Sequence, residues 1–159
     1  GQACLKPAIL IAIAGPGFDP LRAAMINRVG MAPARPMLTP GIHGSYVSGL
    51  DKLQGAGARP VAEGLAATAA LDGQSALLEV DGQRFLRETA LAQEVFGPAA
   101  LLVKVEDETQ MLAVARADVG RRTDEADVFL HAGIVSEMPR DGSARGRRSV
   151  KRYAVLPDR

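Results

Sequence analysis

Blocks of strand-like and helix-like hydrophobic spacing alternate along the chain. Ala8-Ile-Leu-Ile-Ala-Ile-Ala14 is a short, continuous apolar run, the pattern of a strand buried on both faces in a parallel sheet. Gly15-Pro16-Gly17 turns the chain, Asp19 is a candidate N-cap and Pro20 a candidate first helical residue. Leu21, Ala24, Met25 and Val29 then recur at helical spacing. After the proline-punctuated stretch Ala32 to Pro36, Thr39-Pro40 repeats the cap-plus-proline signal. Ile42, Tyr46, Val47, Leu50 and Leu53 form one apolar face, and Gly55 and Gly57 stop that helix. Arg59 to Ala62 reads as a short strand and Ser75 to Val80 as another, closed by an Asp81-Gly82 turn. Gln83 to Arg87 reads as one helical turn, and Ala99 to Val105 as a strand with Lys104 its only charge. Asp107 and Gln110 resemble a capping box opening a helix through Met111, Leu112 and Ala115. Asp127 to Ala132 reads as one more strand. The expected fold class is α/β, a layered, mainly parallel sheet flanked by helices.

Composition narrows the chemistry. The 159 residues, 47% hydrophobic, suffice for one domain with a sizeable core or for a piece of a larger one. Aromatics are only 4% and tryptophan is absent, so that core is aliphatic. A single cysteine excludes an internal disulfide and predicts a reducing, cytoplasmic setting. With two histidines it leaves little for a transition-metal site, and none is assigned. The run from Ala8 to Ala14 is too short to cross a bilayer and has no signal-peptide flanks, so no membrane partner is expected. The chain starts at Gly1 immediately before a strand-like run, which predicts a fragment or processed product.

Net charge is +1, but residues from Arg140 onward carry seven basic and two acidic groups, leaving −4 on the part before. Residues 136–159 therefore read as a basic, flexible tail behind a domain at 1–135. The tail contains one aromatic, Tyr153, and no RNA-binding signature, so nucleic acid is not the expected partner.

Three features are candidates for chemistry. Gly15-x-Gly17 is not a dinucleotide fingerprint, because Pro20 stands where the third glycine belongs and no acidic residue closes a second strand. Cys4 stands at the mouth of the first strand, where a thiolate attacking a carbonyl would have its own backbone N–H beside the oxyanion. A Cys–His hydrolase would need His43 or His131 brought to it; His43 itself lies in a first helical turn, which favours a neutral ring. Gln93-Glu94-Val95-Phe96-Gly97-Pro98 sets a carboxylate two residues from an aromatic ring, directly before a Gly-Pro corner of restricted geometry.

Gly1-Gln2-Ala3-Cys4 before an aliphatic strand resembles the catalytic-cysteine segment of the aldehyde dehydrogenase superfamily. Glu94-Val-Phe-Gly-Pro98 followed by Leu-Leu-Val-Lys-Val resembles its second signature, in the right order and roughly ninety residues on. Met37-Leu-Thr-Pro-Gly-Ile-His43 resembles the branch that oxidises 2-oxoglutarate semialdehyde (2,5-dioxovalerate). The resemblance covers about Gly1 to Ala117 and implies a catalytic-domain portion of an NAD(P)-dependent enzyme that oxidises an aldehyde through a cysteine thioester. It implies Cys4 as nucleophile, Glu94 as ligand of the nicotinamide-ribose hydroxyls, Phe96 as a contact near the nicotinamide, NAD or NADP as cofactor, and a homo-oligomer.

The sequence departs from the family's usual Thr and Asn-Pro-Gly after the cysteine, with Leu5, Lys6, Pro7 and Ala8 instead. Lys6 pointing inward would lower the thiol pKa. The cofactor domain, the oxyanion asparagine and the general-base glutamate precede the cysteine in the family, so the chain alone is expected to be inactive. The alternative expectation is a non-catalytic remnant or interaction domain that keeps the fold.

Overall fold

A computed structural model describes residues 8–122 of the chain. Cys4, Lys6, the strand expected at Asp127 to Ala132 and the tail 136–159 lie outside the described residues. The elements run β1 (Ile9–Ile13), α1 (Phe18–Gly30), β2 (Arg35–Pro36), α2 (Pro40–Gly55), β3 (Arg59–Glu63), β4 (Asp72–Gly73), β5 (Ala76–Asp81), α3 (Gly82–Arg87), a 3-10 turn (Thr89–Ala92), β6 (Ala99–Val105) and α4 (Glu108–Arg122). Four strands form one sheet in the order β1-β6-β5-β3, while β2 and β4 make a small separate ribbon. β1 and β5 both pair with β6 in parallel, and β3 pairs antiparallel with β5. The expected layered, mainly parallel α/β sheet is what the structure shows, with β3 the antiparallel exception.

Side chains on the central strands sort by a period of two into two cores. Leu78, Val80, Leu101, Val103 and Val105 face Tyr46 and Leu53 of α2, Phe85 of α3 and Val114 of α4. Leu77 and Leu102 face the other way, onto Phe18, Met25, Ile26 and Val29 of α1. Each fully buried Leu or Val contributes about 1.5–3 kcal/mol relative to an exposed one, so β6 anchors both layers. Two charged side chains extend onto the α1 face. Glu79 accepts from Arg22 and, at 3.0 Å, from Arg59, joining α1, β5 and β3. Lys104 places its Nζ 5.0 Å from the centre of the Phe18 ring.

The helix ends follow local chemistry with some corrections to the expected pattern. Thr39 caps α2 as expected, its Oγ1 accepting from the Ile42 N–H at 3.2 Å, with Pro40 at the first helical position. The far end is a Schellman motif: the Ala58 N–H donates to Leu53 O and the Gly57 N–H to Gln54 O. Gly57 takes φ +99 there, while Gly55 is still helical. Asp19 is not the cap of α1; Gly17 holds that position without a side-chain bond, and Asp19 lies in the first turn where its charge suits the macrodipole. Asp81-Gly82 is not a turn between strands, because Asp81 Oδ1 accepts from the Arg84 N–H at 2.8 Å and caps α3. Gln110 is bonded by its N–H to Asp107 Oδ1, but its Oε1 accepts from Glu106, one residue earlier than a reciprocal box requires.

Two burial expectations also change. β1 is half-buried along its length, because among the described residues it pairs on one side only, at an edge of the sheet. Val47 is exposed, since the buried face of α2 follows Tyr46 and Leu53.

Candidate functional site

The corner ahead of β6 is built from alternating inward and outward positions. Val95 and Gly97 are buried, whereas Glu94 and Phe96 are exposed, Phe96 to 41%. Each inward position has a matched partner. A Cβ added to Gly49 of α2 would lie 3.0 Å from Val95 Cγ1, so the helix has a glycine where the valine packs. Gly97 takes φ +152, a conformation that other residues rarely adopt, and a Cβ there would lie 2.2 Å from Tyr46 Cδ2. Pro98 accepts from the Ala76 N–H at 2.9 Å, which ties the corner to the start of β5. The Tyr46 hydroxyl donates to Gln74 O at 2.6 Å, and Gln74 Nε2 donates to Gly64 O at 2.7 Å. Burial, with Glu63 as a lesser cause, pushes the Tyr46 phenol up to about 12.

The β2–β4 ribbon stands beside the same corner. A Cβ on Gly73 would meet Met37 Sδ at 2.9 Å and Pro98 Cδ at 3.4 Å. Its base is stiffened by Asp72, whose Oδ2 accepts from the Thr68 N–H, the Thr68 hydroxyl and the Ala69 N–H at 3.1, 3.1 and 2.9 Å. The Thr68 backbone bond is the leading cause that holds the Asp72 carboxyl below its usual range, against the opposing effect of burial.

Topology sets what lies next to this corner. β1, β6 and β5 are mutually parallel in register, with Ile9 opposite Leu101 and Ala76 opposite Ala99, so all three begin at one edge of the sheet. Ala8 O accepts from the Leu101 N–H at 2.9 Å. Ala8, Gln93, Val95 and Ala99 together line a small, open crevice between the two strand starts. Ala8, at the start of β1, and the corner that leads into β6 are therefore neighbours in space, although far apart in sequence.

The candidate residues fall out as follows. Glu94 and Phe96 are both displayed, on a braced corner, and Glu94 makes no hydrogen bond or ion pair among the described residues. Cys4 lies outside the described residues, four positions before Ala8. His43 is half-buried in the first turn of α2, and His131 lies outside the described residues. No group of three His, Cys, Asp or Glu side chains suited to a metal ion occurs among the described residues. No described helix is long and apolar enough to cross a membrane. Tyr46, Gln74 and Gly49 emerge as supports that sequence reasoning missed. Tyr46 was legible only as one member of an apolar helical face, and no spacing rule connects it to Gly97.

No family model matches the chain. It is 38% identical over 124 residues to an alpha-ketoglutaric semialdehyde dehydrogenase 2 of Azospirillum brasilense, a match covering 77% of this chain and 24% of that protein. It is 33% identical over 135 residues to an alpha-ketoglutaric semialdehyde dehydrogenase of Acinetobacter baylyi, covering 80% and 26%. The fold resembles that of an NAD-dependent benzaldehyde dehydrogenase from Corynebacterium glutamicum, with a TM-score of 0.60 at 16% identity, covering 72% of this chain and 26% of that one. It also resembles a Thermus 1-pyrroline-5-carboxylate dehydrogenase with bound NAD, with a TM-score of 0.56 at 18% identity, covering 84% and 29%. The chain spans about a quarter of the length of the curated relatives it matches. In sequence and in fold, the chain matches the aldehyde dehydrogenases over a catalytic-domain portion of that length.

Proposed function

We propose that this chain carries the cysteine segment and the nicotinamide-ribose corner of an NAD(P)-dependent dehydrogenase that oxidises 2-oxoglutarate semialdehyde to the acid. The observation that carries the reading is the common starting edge of β1 and β6, with Ala8 lining one crevice together with Gln93 and Val95 of the corner segment. Three residues, Leu5, Lys6 and Pro7, separate Cys4 from Ala8, so at most about 14 Å of extended chain spans the two.

The residues present fit part of a nicotinamide nucleotide site. Glu94 offers two carboxylate oxygens as acceptors for ribose hydroxyls, and the exposed Phe96 ring offers an apolar wall beside it. The bound cofactor supplies the two-electron acceptor that aldehyde oxidation requires. Within this chain, the Cys4 thiolate adds to the aldehyde carbon and its own N–H steadies the oxyanion. Loss of hydride from that tetrahedral carbon to the bound cofactor would leave a thioester, which water would cleave to the acid and the free Cys4 thiol.

A second reading, a non-catalytic remnant that keeps the fold, is favoured by Leu5, Lys6, Pro7 and Ala8 standing where the family usually has Thr and Asn-Pro-Gly. Thiol chemistry and cofactor binding separate the two. A functional Cys4 alkylates with iodoacetamide well below pH 8, against about 8.5 for an ordinary thiol. NAD⁺ gives a saturation-transfer signal with the chain that Glu94→Gln weakens. Ordinary alkylation rates together with no Glu94-dependent signal would sink the catalytic reading.

A further inference from the structure

We propose that Tyr46 is the positioning residue of the corner, holding Gly97 and so setting the directions in which Glu94 and Phe96 face; its importance for cofactor binding rests on the function proposed above. Contacts around Tyr46 close a ring. Its aromatic face lies against Gly97 so tightly that a Cβ there would be 2.2 Å from Cδ2. Pro98, the next residue, accepts from the Ala76 N–H at 2.9 Å, and two residues before Ala76 the Gln74 carbonyl accepts the Tyr46 hydroxyl at 2.6 Å. One side chain from α2 thus grips both the corner and the segment to which the corner is hydrogen-bonded. Val95 adds a second hold against Gly49 of the same helix, one turn along. The two outward residues, Glu94 and Phe96, alternate with the two that are held, so backbone freedom at Gly97 would pass directly to them.

The role differs from that of an ordinary core tyrosine in where its loss is felt. Amide hydrogen exchange on the full chain reads this directly. Tyr46→Leu, which removes ring and hydroxyl, is expected to raise exchange at residues 94–97 about tenfold while Leu102 and Val103 keep their protection. Tyr46→Phe keeps the ring and loses one hydrogen bond, and is expected to raise it about threefold at the same residues. NAD⁺ affinity, followed by saturation transfer, weakens in the same order with Glu94 intact. Unchanged exchange at the corner in Tyr46→Leu, or a rise spread evenly over β5 and β6, overturns the proposal. If Tyr46→Leu fails to fold, Tyr46→Phe decides by the same criterion, a localised rise supporting the proposal and an even one overturning it. A localised rise in a chain that binds no NAD⁺ upholds Tyr46 as the brace and removes the cofactor reading instead.

Discussion

Gly97 concentrates two demands on one position, a positive φ of +152 and an aromatic ring where a side chain would begin. Gly97→Ala meets both at once, and the expected loss of stability is about 2–4 kcal/mol. Urea unfolding compared with the parent chain measures it; a loss under about 0.5 kcal/mol would mean that the corner relaxes freely. Glu94 and Phe96 were legible from the sequence because a motif names residue types in order. Their display was legible too, in that a Gly-Pro corner restricts its backbone. Tyr46 was not, because what makes it matter is a contact across the fold with a residue that carries no side chain. Asp19 shows the same limit in reverse: its type suits a cap, but the helix opens two residues too early, at Gly17, for it to serve.

Some helix starts were legible, since their signals are local. Thr39-Pro40 and Asp107 both act where expected, the first as the cap of α2 and the second as acceptor of the Gln110 N–H. Thr39→Ala removes the bond to the Ile42 N–H and is expected to cost about 1 kcal/mol, measurable as a shift of the denaturation midpoint with an unchanged slope. A change of slope instead would mean that α2 frays as a unit. Strand direction and neighbours were harder to read. Arg59 to Ala62 reads as a short strand, but nothing in it specifies an antiparallel partner. The run from Ala8 to Ala14 reads as doubly buried because its composition is that of a central strand, while among the described residues β1 lies at an edge.

At the scale of the molecule, two titrating groups couple stability to pH in opposite directions. Asp72 has its carboxyl held low in the folded state, so its contribution is complete above the unfolded value near 3.9 and is lost as pH falls through the lower folded value. Tyr46 is shifted the other way, from 10.0 to about 12, so its contribution is complete below pH 10 and is lost as pH rises through about 12. Unfolding free energy is therefore expected to decline below about pH 4 and again above pH 10. Asp72→Asn flattens the first decline and Tyr46→Phe the second, as read by urea titrations across pH. An unchanged alkaline slope in Tyr46→Phe would assign that decline to other groups.

The parallel starts of β1, β5 and β6 also carry a kinetic consequence. Ile9 meets Leu101 only after a loop of roughly ninety residues has closed, a step whose entropy cost is met before any site contact rewards it. The corner beside β6 and Ala8 at the start of β1 thus become neighbours late. On the function proposed above, thiol reactivity and cofactor affinity are expected to appear during refolding only after helical circular dichroism is complete, the local β3–β5 pairing preceding the β1–β6 pairing.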